Sequence, residues 1–273
     1  MSAFKILVGV SFFGVLLVVN GKNHHLKHTG NHDKRIVGGE FTSIKKYPYQ
    51  VAIEREIIKD FFYKFTCGGS IISEQHILTA AHCIFKNSRV RIGTSSIISV
   101  FAQTVFVDVY YKHPNYTTVD NVAYNDIAIL KLKSKITFND KNINKINLPV
   151  ANSEPNYSIN ATLTGWGMFF PYLRIPSLWL MKADVPIISN EDCVKSWENL
   201  SLPTTIRETN LCTLVKGDPK TACSGDSGGP LVQNNTLIGI VSFGINNCAT
   251  RGAPSVYTKV SRFVDWISEQ LKK

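Results

Sequence analysis

The chain has 273 residues, 44% of them hydrophobic, and 30 lysines and arginines against 20 acidic residues give a net charge of +10. That balance implies loose attraction to acidic surfaces. No basic run is interleaved with aromatics, so a nucleic-acid partner is excluded, and six cysteines without a CxxC pair argue against a zinc site.

The first segment carries one charge, Lys5, then an apolar run from Ile6 to Val19, then small residues ending at Gly21. This predicts a secretory signal peptide over residues 1–21. The run falls short of the roughly 20 apolar residues that a spanning helix needs. No later stretch is apolar enough either, so no membrane association is expected and the protein is expected to be secreted and extracellular. In that oxidising setting an even number of cysteines predicts three disulfides, whose pairing the sequence alone does not select.

Residues 22–35 are polar and basic, without apolar periodicity, and cannot bury enough surface to order themselves. They are expected to form a propeptide. Four of the seven histidines, His24, His25, His28 and His32, lie in it and are read as part of a solvated leader rather than a metal site. Removing residues 1–35 takes five of the 30 basic residues and one of the 20 acidic ones, leaving a net charge of +6.

From residue 36 to 273, short Val/Ile/Phe-rich segments broken by turn residues recur without long helical periods, as in all-β architecture. Strands are predicted near Tyr49–Ile53, Val90–Ile92, Thr104–Val109, Ala128–Leu132 and Leu237–Phe243. Only the tail is clearly helical, with Val260, Phe263, Val264, Ile267 and Leu271 at spacings of three and four. Asn-x-Ser/Thr acceptors for glycosylation stand at Asn115, Asn156, Asn160, Asn199 and Asn234. Asn160 is the weakest of them, because it leads into a strand ending at Trp166.

Two motifs carry chemistry. Gly225-Asp226-Ser227-Gly228-Gly229-Pro230 presents a serine among glycines, and Thr79-Ala80-Ala81-His82-Cys83 presents a histidine upstream. The serine motif also fits the nucleophile elbow of α/β-hydrolases, whose histidine follows the serine. All seven histidines here precede Ser227, the other two being His76 and His113, so that reading lacks a base. The remaining order is His, acid, Ser, with Asp126 in Asn125-Asp126-Ile127-Ala128-Ile129-Leu130 as the acid. His76 and His113 are read as structural.

With Arg35-Ile36-Val37-Gly38-Gly39, Cys67-Gly68-Gly69-Ser70, Gly165-Trp166-Gly167, Ser242-Phe243-Gly244 and Val256-Tyr257-Thr258-Lys259-Val260 in the same order and spacing, the chain resembles the trypsin/chymotrypsin family of serine proteases over essentially everything after residue 35. The resemblance implies two packed six-stranded antiparallel β-barrels with a C-terminal helix, the site lying between them. It implies a His82–Asp126–Ser227 triad, an oxyanion hole of the Gly225 and Ser227 N–H groups, and substrate-backbone pairing along Ser242, Phe243 and Gly244. It pairs Cys67 with Cys83, Cys193 with Cys212 and Cys223 with Cys248. It also implies activation by cleavage of Arg35–Ile36, after which the Ile36 ammonium meets Asp226. No cofactor or metal is implied, and the molecule is expected to be a monomer whose partners are protein or peptide substrates and protein protease inhibitors.

The primary pocket departs from trypsin. The floor position, aspartate in trypsin, is Thr221; Ser255 stands where glycine is usual, Gly244 keeps one wall open, and Phe243 replaces a tryptophan. Without a carboxylate the pocket is expected to reject Lys and Arg and to favour Phe, Tyr, Leu or Met, Ser255 trimming its depth. An enzyme of that preference does not cut its own Arg35–Ile36 bond efficiently, so a separate trypsin-like activator is expected. Between Arg91 and Asp108 there is no Asp or Glu, so trypsin's calcium site is not expected. The segment Glu54 to Phe65 is longer than in trypsin and reads either as a substrate-selecting element or as a lengthened hairpin. The competing functional reading is a catalytically silent homologue acting as a binding protein.

Overall fold

The computed structural model describes residues 39–273 apart from 121, 140, 171–174, 218–219, 246–247 and 249. The expected signal peptide, the propeptide and the Arg35–Ile36 bond lie outside the described residues.

Six antiparallel strands close a first barrel in the order Gln50–Ile58, Phe62–Ile71, His76–Thr79, Ala128–Leu132, Gln103–Lys112 and Ser88–Ile92. Alternation explains the pairing: Val51 and Ile53 point into the barrel with Val90, Ile92 and Val105, while Ala52 between them faces a separate cluster with Trp166 and Leu180. The predicted strands all fall inside observed ones, to within a residue at Tyr49. The longer segment is a hairpin, Glu54 opposite Phe65, Arg55 opposite Lys64 and Ile58 opposite Phe62, with register shifts between Ile53 and Glu54 and between Glu56 and Ile58. Its base is braced by Glu54, a buried carboxylate held by the Nε groups of Arg89 and Arg91, each at 2.7 Å. Such a pair of cations is what lets an acid stay buried.

The second sheet has eight strands, in the order Glu40–Phe41, Met181–Val185, Ala161–Gly165, Pro230–Gln233, Thr236–Phe243, Ser255–Lys259, Asn210–Thr213 and Ile187–Ile188. Met181–Val185 and Ile187–Ile188 are one run of chain divided at Pro186, which has no N–H to give to a ladder. Counted as one strand, they bring the two ends of the sheet together, and the expected six-stranded barrel emerges with Glu40–Phe41 added at its side.

The tail tightens into a 3₁₀ turn, Val260–Phe263, before the helix Val264–Gln270, and buries Val260, Phe263 and Ile267. A second helix, Asn190–Asn199, is not apparent from apolar periodicity. Only Cys193 and Trp197 face the core from it, yet Ser189 caps it by accepting from the Asp192 N–H at 3.0 Å. Disulfides join Cys67 to Cys83, Cys193 to Cys212 and Cys223 to Cys248, as the resemblance implied. Among the described residues no helix is long and apolar enough to cross a membrane.

Candidate active site

His82 sits in a 3₁₀ turn, Ala81–Cys83, directly after the strand His76–Thr79, and the Cys67–Cys83 disulfide ties that turn to the neighbouring strand. Asp126 follows Asn125, which takes a left-handed φ of 50°, a conformation asparagine tolerates better than most residues. The turn aims a buried carboxylate at the histidine. One oxygen accepts the His82 backbone N–H at 3.0 Å, and the other lies 2.7 Å from His82 Nδ1. A carboxylate at Nδ1 favours the proton on that nitrogen, which leaves Nε2 as the acceptor.

Two hydroxyls from the second sheet fix the same aspartate. Ser242 Oγ donates to Oδ2 at 2.7 Å, and Thr258 Oγ1 donates to the Asp126 carbonyl at 2.8 Å. Neither hydroxyl is marked by its local sequence, because these partners are 116 and 132 residues from Asp126.

Ser227 comes to the site through backbone packing. Its carbonyl accepts the Gly68 N–H at 2.8 Å, and the Gly228 N–H donates to the Val241 carbonyl at 2.8 Å. A side chain on Gly68 would stand 2.9 Å from the Gly229 Cα, and one on Gly228, whose φ is +75°, would run into Thr79. These glycines therefore let the serine loop lie against the strand ends that lead into His82 on one side and Ser242 on the other. No hydrogen bond joins the Ser227 hydroxyl to His82 among the described residues. Gly225 has a φ of +99°, open to glycine and strained for other residues. Neither the Gly225 nor the Ser227 N–H donates to a described residue.

Asp226 is buried beneath this loop. Its two oxygens accept the Gly167 N–H at 2.8 Å and the Cys223 N–H at 3.0 Å. Burial outweighs those two donors and pushes its pKa up to about 6. Any Cβ at Gly165 or Gly167 would collide with the carboxylate, which gives Gly165-Trp166-Gly167 its physical reason.

Beside Ser227 opens a cavity of about 250 Å³, lined by Ala222, Val241, Ser242, Phe243, Gly244, Ile245 and the Cys223–Cys248 disulfide, with Cys223 continuing into Ser224. Among the described residues no ionisable side chain lines it. Thr221 and Ser255 are absent from that lining. They are buried and bonded to each other, Oγ1 to Oγ, at 2.6 Å, and Ser255 Oγ also accepts the Ala222 N–H at 3.2 Å. The pair satisfies itself behind Ala222 and offers no charge to the cavity.

The trypsin family model matches residues 36–267. The chain belongs to the trypsin family of serine proteases. Human kallikrein-7 is 34% identical over 240 residues, covering 88% of both chains. Hypodermin-B of Hypoderma lineatum is 37% identical over 244 residues, 88% of this chain and 89% of its own, and rat trypsin V-B is 36% identical over 245 residues, 88% and 91%. The protein is accordingly a serine endopeptidase with proteins as substrates.

The two other described histidines lie away from this trypsin-family site. His76 is buried with Nδ1 2.8 Å from Ser73 Oγ, and burial lowers its pKa. The His113 ring packs edge-on against Phe263 and Trp266, each with centroids 5.1 Å apart. Ligand atoms of Cys67, Cys83 and His82 lie within 4.8 Å of one another, but both sulfurs are engaged in the disulfide and offer no thiolate to a metal. The five glycosylation acceptors, Asn160 included, are exposed.

Proposed function

We propose that the protein is a secreted endopeptidase zymogen that cuts after large or medium apolar residues through a His82–Asp126–Ser227 triad. The observation that carries this reading is the 2.7 Å contact between His82 Nδ1 and a buried carboxylate, beside a loop whose glycines bring Ser227 to the same strand ends. A serine hydroxyl is a weak nucleophile at neutral pH and must pass its proton to a base as it attacks. With Nδ1 facing Asp126, His82 offers Nε2 for that proton, and Asp126 stabilises the imidazolium that results. The carbonyl oxygen turns negative as Ser227 adds and is received by the Gly225 and Ser227 N–H groups. His82 then gives its proton to the departing amine, and water repeats the sequence on the acyl-enzyme.

A cavity with no carboxylate among the described residues, backed by the closed Thr221–Ser255 hydroxyl pair, supports the apolar preference. A substrate Lys or Arg would be buried there unpaired. Three disulfides support export to an oxidising compartment. Asp226, held among the described residues by two N–H groups and no cation, supports activation by an Ile36 ammonium released at Arg35–Ile36. A separate trypsin-like protease makes that cut.

A fluorophosphonate probe should label Ser227, and Ser227→Ala should abolish labelling and lower peptide hydrolysis by about 10⁶-fold. Hydrolysis that survives the substitution defeats the triad. In a peptide-library profile Thr221→Asp should shift cleavage partly toward Lys and Arg; native enzyme that already prefers Arg overturns the pocket assignment. Purified zymogen left alone should generate no Ile36 terminus.

A further inference from the structure

We propose that the mature protease clips itself between Phe101 and Ala102, one molecule cutting another. The inference rests on the apolar-pocket reading above. Between the strands Ser88–Ile92 and Gln103–Lys112 the chain makes turns in which Phe101 is 96% exposed and Val100 85%. Large apolar side chains standing almost wholly in water are what an apolar pocket takes up.

Backbone freedom singles out the same bond. A protease holds its substrate as an extended strand, so a cleavable segment must leave its native geometry at little cost. The segment is tethered at Ile97, whose N–H donates to the Leu178 carbonyl at 3.1 Å, and at Ser99, whose carbonyl accepts Arg91 Nη1 at 2.6 Å. The turn bonds within it are long, Ser99 N–H to Ser96 at 3.3 Å and Ala102 N–H to Ser99 at 3.4 Å, and the Val100 and Phe101 backbone groups bond to no described residue. Phe61 is also exposed, at 83%, but it is locked in the hairpin tip: its N–H donates to Ile58 at 3.0 Å and the ladder resumes at once with Ile58 opposite Phe62. Leu202, another exposed apolar residue, is followed by Pro203, which lacks the N–H of an ordinary leaving amide.

None of the residues lining the cavity beside Ser227 comes from 94–102, so the Phe101 side chain is offered to a second copy. Ser227 of one molecule attacks the Phe101 carbonyl of the other; the C–N bond to Ala102 breaks, the amine leaves with the proton relayed by His82, and water releases a Phe101 carboxylate. No disulfide spans the cut. The strands on either side remain paired, Arg91 with Thr104 and Ile92 with Gln103, so the clipped protein stays one folded particle that separates only on denaturation.

The experiment incubates activated enzyme at several concentrations and reads new N-termini by mass spectrometry, beside a peptide-library profile of the same preparation. An Ala102 terminus should appear at a rate rising with the square of enzyme concentration, ahead of any Phe62 terminus. Ser227→Ala protein alone should stay intact and should be cut at the same bond by a trace of active enzyme. Phe101→Lys should slow that cut by at least about tenfold, Phe101→Leu should keep it, and both should hydrolyse small peptides normally. An apolar library profile with no Ala102 terminus, or with Phe62 appearing first, overturns self-clipping and leaves the pocket reading intact. A profile centred on Lys and Arg overturns both.

Discussion

Asp126 and Asp226 are equally buried, each 1% exposed, yet they are stabilised in opposite ways. Asp126 receives a ring nitrogen, a backbone N–H and a hydroxyl on its two oxygens, and a second hydroxyl on its carbonyl. Asp226 receives two backbone N–H groups, and its pKa rises to about 6. A buried carboxylate with too few partners is a place where a new cation has a large effect. On our reading, the base half of the site is complete in the described chain, and the half carrying Gly225 and Ser227 depends on the aspartate that is not.

The largest test of that contrast is at the satisfied aspartate. Asp126→Asn keeps the shape but removes the charge and allows the wrong imidazole tautomer, so kcat should fall by about 10⁴-fold with little change in thermal midpoint. A fall below tenfold would remove Asp126 from the triad. At the other carboxylate, Asp226→Asn in activated enzyme should cost about 10²- to 10³-fold in kcat, because the amide cannot hold an ammonium and the Gly225 donor is left unsupported. Binding of small apolar inhibitors to the pocket should weaken in the same variant, whereas Asp126→Asn leaves it unchanged; equal binding losses in both would erase the distinction.

The two aspartates differ in pH dependence as well. The Asp226 pKa is raised from 3.8 to about 6 by burial, so in uncleaved protein the folded state holds this proton more tightly than the unfolded chain does. Its contribution is therefore fully present below about pH 4 and is lost as pH rises through 6, an effect of about 3 kcal/mol. Urea midpoints of the zymogen should show that fall, and Asp226→Asn zymogen should lack it. If activation proceeds as proposed, the Ile36 ammonium should lower the aspartate pKa after cleavage and the fall should shrink. A zymogen profile identical to that of Asp226→Asn would mean that the carboxylate has already found a cation.

Much of this was legible beforehand because chemistry-bearing residues sit in short motifs. His82 is flanked by the cysteine that clamps it, Ser227 by the glycines that admit it, and the strand periodicity of Ala128–Leu132 survives on its own. What sequence reading missed depends on distant partners. The helix Asn190–Asn199 buries only Cys193 and Trp197, too few positions to establish a period. Thr221 and Ser255 are legible one by one as pocket positions, but their mutual bond at 2.6 Å joins residues 34 apart and has no local signal. Division of a barrel strand at Pro186 follows from a missing N–H, yet only the ladder on either side reveals that the strand continues.

The smallest effect belongs to the hydroxyls that complete Asp126. Ser242 Oγ shares Oδ2 with His82 Nδ1, so it competes for the same lone-pair region while holding the carboxylate plane in line with the ring. A hydrogen bond to a charged group contributes about 1.5–3 kcal/mol, but part of that is recovered when water or the His82 backbone takes up the slack. Ser242→Ala should therefore lower kcat by about tenfold with KM unchanged, since the hydroxyl touches the aspartate and not the substrate. Thr258→Val removes a bond to a neutral carbonyl and should cost less. If Ser242→Ala instead raises KM and spares kcat, the hydroxyl serves the pocket wall, and the completeness of Asp126 rests on His82 alone.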